Sequence, residues 1–335
     1  MTPADEMYPN RPAPRAALLH RQMATADHFR RDHFDVPQDA PVGLTVDGAV
    51  TEAVVYDEEA LAGMPVVQER CVLECAGHRR TEFHPSAPGL AWEIGSLGEA
   101  VWRGPALGPI LRRSGVSPDA CEVVLHGADR GVVEDYGETT FARSLPIDWP
   151  LLDRTILATH MNGEPLRPEH GAPLRALVPG WYATDAVKWL ARVEVVTEPF
   201  RGYFQELDYR LQFDGDDGIG LRMSEMPVHG LLLSPQDGAT VPAGEVELCG
   251  IAWGGNGVSR LDVCIDGTWH EAELECGERY ARCYWTLAVQ LDSGEHQLRV
   301  RASDESGAVQ PAELRWNRKG YQNTSQQLVR LTVAS

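Results

Sequence analysis

Beyond residue 227 the chain breaks into short alternating runs, at 246–249, 261–265, 286–289, 297–301 and 328–333, each bounded by clusters of Gly, Asp and Ser. Alternation of apolar and polar residues marks a strand with one buried face. The spacing of these runs predicts an antiparallel β-sandwich of immunoglobulin type over 227–335. Trp253, Trp269, Trp285 and Trp316 fall in this part and read as core or interface aromatics. Residues 227–235 read as the crossing from an earlier domain, and 335 residues suffice for two domains that each bury a core.

The earlier part is mixed in texture. Residues 42–56 read as two short strands around Asp47-Gly48, a hairpin signal, and 58–64 as a brief helix before Pro65. Residues 66–74 form a strand pattern that delivers Cys75 at its end. Leu107, Ile110 and Leu111 have helical spacing within 102–114, with Gly115 placed to stop the helix. A strand over 121–125 leads into a polar loop, 127–131, that carries Asp129. Strands over 156–161 and 174–178 flank a proline- and glycine-rich loop, and 187–196 reads as a turn followed by a strand. Residues 214–218 are a flexible loop by composition.

Composition narrows the partners. Net charge is −19 with no Lys- or Arg-rich block, which excludes the basic footprint that nucleic acid or an anionic membrane needs. No run of about 18 apolar residues suggests a membrane span. The first 27 residues hold four prolines and no apolar signal core, so 1–27 is expected to be a tail or a strap and the protein cytoplasmic. Seven cysteines, at 71, 75, 121, 249, 264, 276 and 283, match neither finger spacing nor haem attachment. Reduced thiols are expected throughout, Cys249 and Cys283 being the pair that neighbouring strands could bring together.

The segment Cys71-Val-Leu-Glu-Cys75-Ala-Gly-His-Arg-Arg80 carries the chemistry. It sets a thiol in a short turn, with Gly77 allowing close backbone approach and two arginines just beyond. An adjacent cationic pair lowers a thiol's pKa and favours the thiolate, the form that binds a soft metal. The same guanidinium groups can hold an anionic substrate bidentately. On so acidic a chain, an anion needs cations concentrated at its site.

Cys75-Ala-Gly-His-Arg-Arg80 resembles the Cys-Ala-Gly-Asn-Arg-Arg segment of the sulfite oxidase family of molybdenum enzymes. Phe29-Arg-Arg-Asp-His33 with Val36-Pro37 is similar to that family's Phe-x-Arg-Asn-His-x-x-Val-Pro segment. Further similarity runs through Met161-Asn-Gly-Glu to Pro173-Leu-Arg175, Val178-Pro-Gly-Trp-Tyr182 and Val187-Lys-Trp-Leu190. In the second part Gly250-Ile-Ala-Trp253, Asp266-Gly267 and Trp316-Asn317 through Gly320-Tyr321 resemble the family's dimerisation domain. The order and spacing hold from about residue 28 to the end.

The resemblance implies an α+β fold: a sulfite oxidase-type molybdopterin-binding domain over 28–226, then an immunoglobulin-like β-sandwich dimerisation domain over 227–335. It implies a homodimer and molybdopterin with Cys75 as the protein ligand to molybdenum. Phe29, Arg30, Arg31, Asp32, His33, Asp129, His170, Arg175, Ala186, Val187 and Lys188 would cradle the cofactor. Arg31, Arg80 and Lys319 would hold a small oxyanion, sulfite, with Tyr209 orienting it for oxygen-atom transfer. Trp92 resembles a tryptophan lining the family's substrate channel. His78 and Asp32 stand where the family commonly has asparagine, and Lys319 where animal and plant sulfite oxidases carry a third arginine. With neither a haem motif nor a nucleotide-binding glycine fingerprint, no haem is expected, and an external acceptor such as a cytochrome or dioxygen would take the electrons.

Overall fold

The computed structural model describes residues 10–335 apart from positions 214 and 217; residues 1–9 of the expected tail and part of the 214–218 loop lie outside this range. The first unit is built on two sheets. One runs in the order Val54–Tyr56, Leu44–Gly48, Leu190–Val196, Glu122–Val133, Gly137–Pro146. The other runs Val66–Glu74, Leu97–Pro105, His160–Met161, Glu164–Pro165. The helices Leu107–Ser114 and Trp149–Arg154 pack against each other, the former also against Leu44–Gly48, and their buried faces carry Leu107, Ile110, Leu111, Leu151 and Leu152.

The expected hairpin over 42–56, the helix after Asp57 and the strand ending at Glu74 are all present. The Asp57 carboxylate caps the short helix by accepting from Ala60 N. Two expectations shift. The helix begins at Leu107, not Trp102, because Trp102 sits in a strand opposite Glu69 and Met161. The polar loop over 127–131 is instead part of the long strand Glu122–Val133, whose register against Gly137–Pro146 jumps between His126 and Arg130. That bulge re-aims Asp129, as bulges beside functional sites commonly do.

The second unit is a sandwich. One sheet is ordered His229–Ser234, Gly244–Trp253, Cys283–Leu291, Glu273–Glu275 and the other Ala239–Pro242, Leu328–Ala334, Gly294–Ser303, Arg260–Ile265, Thr268–Glu271. All five alternating runs lie within these strands. The residues read as a crossing, 227–235, already include its first strand, and one edge pairing, Ala239–Pro242 with Leu328–Ala334, is parallel. Trp253 and Trp285 are fully buried, whereas Trp269 lies on the surface under Arg301. Trp316 reaches back to donate to Pro85 O of the first unit.

One sandwich sheet is apolar on both faces. Leu232, Leu248 and Trp285 fill the sandwich interior, while Leu231, Leu233, Ile251 and Trp253 join the core of the first unit. Strand alternation requires this division, and it explains the unbroken apolar run Leu231-Leu-Leu233. The described part of the tail straps the junction. Arg15 donates to Leu232 O and Leu233 O, and Leu18 O accepts from the buried Arg282.

The thiol expectation is corrected at one pair. Cys276 and Cys283 form a disulfide, because the turn into Cys283–Leu291 brings their Cα atoms to 4.2 Å. Cys249 sits opposite Thr286 and stays free.

At Gly250 the backbone of the central sandwich strand approaches its neighbours closely: an added Cβ would lie 1.9 Å from Leu231 O and 2.8 Å from the Trp285 ring. Neither neighbour can retreat without disturbing both cores. Gly250→Ala should therefore destabilise the protein by about 2–3 kcal/mol, the usual cost of overpacking a tight interior. Urea denaturation monitored by tryptophan fluorescence should show the lowered midpoint.

Candidate functional site

The strand Val66–Glu74 runs antiparallel to Leu97–Pro105 and stops at Cys75, whose N–H donates to Ser96 O at 2.9 Å. A tight turn follows, with His78 N donating to Cys75 O and Arg80 N to Gly77 O. Gly77 leaves room for the Arg80 guanidinium folded over the turn, which a Cβ would approach to 2.4 Å and displace. Cys75 thereby opens into a cavity between the two sheets of the first unit.

Of the residues singled out by sequence, Phe29, Arg30, Arg31, Asp32, His33, Cys75, Asp129, His170, Arg175, Ala186, Lys188 and Tyr209 all line this cavity. Val187, Arg80 and Lys319 do not. Val187 is buried in the core, its carbonyl accepting from Ala176 N. Arg80 stays outside the lining: it donates to Leu90 O, Lys319 O and Gly320 O and lies over the Tyr321 ring. The Lys319 ammonium is paired with Asp208 at 3.0 Å, so it is not a free third cation. Trp92 is fully buried behind the turn and forms no part of the lining.

Sequence reasoning missed His28, Leu73, Phe141, Glu169, Ala183 and Thr184, which also line the cavity. Leu73 was accessible in principle, because it shares a strand face with Cys75 two residues on. Phe141 enters only because the bulge at 127–129 faces it, a pairing that no local pattern encodes.

The walls are cationic. Asp32 is buried between Arg30, at 2.5 Å, and Lys188 Nζ, so one carboxylate positions two cations. Burial lowers the Lys188 pKa to about 8 against the pull of Asp32. Arg175 donates to His170 O and Ala186 O, lies over Trp102, and burial lowers its pKa to about 10. Burial pushes His28 down to about 3 and His170 to about 2, so both imidazoles are neutral.

The thiol departs from expectation. Burial raises the Cys75 pKa, and Arg31, Arg80 and the Gly77 N–H only partly oppose it. Arg79 gives little help because it is turned away, held by both Glu82 oxygens at 2.7 and 2.6 Å and by Ser325 O. Cys75 is a buried thiol, not a free reactive thiolate, and would become a thiolate on losing its proton to a bound metal.

Arg31, His33 and Tyr209 form a directional chain. Arg31 Nη2 lies 3.0 Å from His33 Nδ1, and His33 Nε2 lies 2.5 Å from the Tyr209 hydroxyl oxygen. A guanidinium only donates, so Nδ1 accepts. Enclosure by the cavity wall, with Arg31 adding to it, holds His33 well below its usual pKa and hence neutral. Its single N–H is therefore on Nε2 and is donated to Tyr209 oxygen. The tyrosine's own proton, held firmly because burial raises its pKa, is left to point into the cavity.

Residues 33–204 match the family model described as the oxidoreductase molybdopterin binding domain, and 221–333 that of the Mo-co oxidoreductase dimerisation domain. Mitochondrial sulfite oxidase of Mus musculus is 32% identical over 91% of this chain and 60% of its own length. Sulfite oxidase of Gallus gallus is 32% identical over 93% of this chain and 74% of its own. Nitrate reductase [NADH] 1 of Oryza sativa subsp. japonica is 30% identical over 96% of this chain and 39% of its own. The crystal structure of the sulfane dehydrogenase SoxCD from Paracoccus pantotrophus superposes with a TM-score of 0.80 at 26% identity, covering 96% of this chain and 86% of that one. The chain belongs to the molybdopterin-binding oxidoreductase family that includes sulfite oxidase. It spans 60% of the length of the mouse relative.

The residues fit the family's cofactor. Asp129 Oδ1, Arg175 Nε and His28 Nε2 are buried without hydrogen-bond partners among the described residues, and all three residues line the cavity. Buried polar atoms of this kind await partners that a polar ligand brings. A pterin supplies donors for the carboxylate, and its phosphate suits Arg30, Arg175 and Lys188. Cys75 offers the soft ligand that molybdenum takes.

In the cofactor-free protein burial raises the Asp129 pKa from 3.8 to about 7. The folded state then holds a proton that the unfolded state has lost between these values. Stability falls as pH rises from about 4 to 7 and levels off above. Asp129→Asn should flatten this decline, which is worth roughly 2–4 kcal/mol. Chemical denaturation of cofactor-free wild type and variant at pH 4.5 and 7.5 measures the difference.

Proposed function

We propose that the protein oxidises sulfite to sulfate at a molybdopterin centre anchored by Cys75 and passes the electrons to an external acceptor. The observation that carries this reading is the convergence, in one cavity, of the Cys75 thiol, the Arg31 guanidinium and the inward-pointing hydroxyl of Tyr209. The sulfite oxidases at 32% identity support the substrate class. The bound metal centre supplies two-electron oxygen-atom transfer. The protein's part is electrostatic and positional. Arg31 holds the oxyanion, the Tyr209 O–H donates to one of its oxygens, and the buried walls strengthen both interactions. His33 keeps the tyrosine's lone pair engaged, so the proton faces substrate. Lys188, Arg30 and Arg175 hold the cofactor's anionic end. The sandwich would mediate a homodimer, as the name of its family model suggests.

A second reading is oxidation of a larger or less charged sulfur compound on the same scaffold. It is favoured by one observation: of the three cations expected to grip a sulfite dianion, Arg80 is engaged by backbone carbonyls and Lys319 by Asp208. The similarity to a sulfane dehydrogenase points the same way.

Steady-state kinetics with an artificial acceptor separates the two. Molybdenum-loaded protein should reduce dye in a sulfite-dependent way. Arg31→Gln should raise KM and lower kcat together, costing roughly 2–4 kcal/mol in kcat/KM. Wild type inert to sulfite but active on a thiol-bound or polysulfur substrate would leave the second reading standing.

Cys75→Ser should keep the fold and the pterin, because the cationic cradle is untouched, while turnover falls to background. Pterin fluorescence after denaturation reports the cofactor content. Activity near that of wild type in this variant would remove Cys75 from the centre.

A further inference from the structure

Behind the cavity, on the opposite face of the same strand end, lies a second cluster that the cofactor site does not use. Glu74 precedes Cys75, and strand alternation sends its side chain away from the cavity that Leu73 and Cys75 line. His78 stands in the turn that follows, and His229 opens the first strand of the sandwich. Glu74 is 0%, His78 1% and His229 0% exposed. One ligand atom from each lies within 4.8 Å of the others, and Glu74 Oε1 is 3.7 Å from His229 Nδ1.

The hydrogen bonding around these groups is lopsided. Trp253 Nε1 donates to Glu74 Oε2 at 2.8 Å, and Ser96 Oγ is 3.1 Å from His78 Nδ1. Those contacts fix both side chains and leave their other atoms aimed inward. Glu74 Oε1, His78 Nε2 and both nitrogens of His229 have no partner among the described residues. At 3.7 Å the carboxylate and the imidazole are too far apart for a hydrogen bond. A proton shared between them would still leave His78 Nε2 orphaned. Each such buried atom destabilises the fold if nothing meets it.

We propose that Glu74, His78 and His229 form a second metal site, for a divalent first-row transition ion such as Zn²⁺, distinct from the cofactor cavity. Two imidazoles and one carboxylate are the donor set such ions take. The outer hydrogen bonds to Ser96 and from Trp253 are those that orient metal ligands and set the imidazole tautomer, here Nδ1–H donating to Ser96 Oγ with Nε2 free to bind. Metal–ligand bonds of about 2.0–2.2 Å place tetrahedral ligand atoms roughly 3.3 Å apart. The cluster closes to that by side-chain rotations of about an ångström. The ion joins the first unit, through Glu74 and His78, to the sandwich, through His229. Its role is structural, since all three ligands are shut off from solvent. His78 stands where the family segment carries asparagine, so the site is a property of this chain, not of the family pattern.

The test uses the full-length protein. Dialysed wild type, titrated with Zn²⁺ and re-dialysed, should retain about one ion per chain by elemental analysis, separately from molybdenum. Its Tm should rise by several degrees. His229→Gln and His78→Asn should each lose the ion and the Tm increment while molybdenum content is unchanged. His78→Asn keeps a side chain able to bond Ser96, so it remains informative if His229→Gln folds poorly. Wild type that retains no Zn²⁺, Mn²⁺ or Fe²⁺ overturns the proposal. So does retention by both variants, which would place the metal elsewhere on the surface.

Discussion

The alternation of side chains at the end of one strand governs both halves of the molecule. Where Val66–Glu74 stops, Leu73 and Cys75 face the cavity and Glu74 faces the sandwich. A slip of one residue would exchange thiol and carboxylate, placing a carboxylate in the cavity and a thiol against Trp253. The nine-residue antiparallel ladder with Leu97–Pro105, from Val66↔Pro105 to Glu74↔Leu97, prevents that slip. Gly77 then lets the chain turn tightly enough for Arg80 to fold back over it.

Around that fixed point the protein separates charge. The chain as a whole is strongly acidic at −19, yet the cavity wall gathers Arg30, Arg31, Arg175 and Lys188 with Asp32 as the one carboxylate bridging two of them. Burial keeps the histidines neutral, so they act as hydrogen-bond spacers without adding to the positive field. Such a site is specific for an anionic cofactor because its cations are poorly hydrated before the ligand arrives.

Much of this was legible in the sequence, and what was not has physical reasons. The strand ending at Cys75, the alternating strands of the sandwich and most of the cavity lining follow from local pattern and motif order. Trp102 was misread as helical because Leu107, Ile110 and Leu111 have helical spacing, whereas its strand pairing with Glu69 is non-local. Asp129 looked like a loop residue because a bulge interrupts the strand's alternation. The directions taken by Arg79, Arg80 and Lys319 were invisible, since they depend on Glu82, on Leu90 and on Asp208 respectively. The bridge between Cys276 and Cys283 escaped for a similar reason: their proximity is made by a turn whose shape the spacing does not fix.

Residues 319–321 belong to the sandwich half, yet their carbonyls hold Arg80 and their side chains engage Asp208 and stack on Tyr209. The far unit therefore supplies part of the frame against which Tyr209 is set, so a substitution at 319–321 would alter the packing of a cavity those residues do not themselves line.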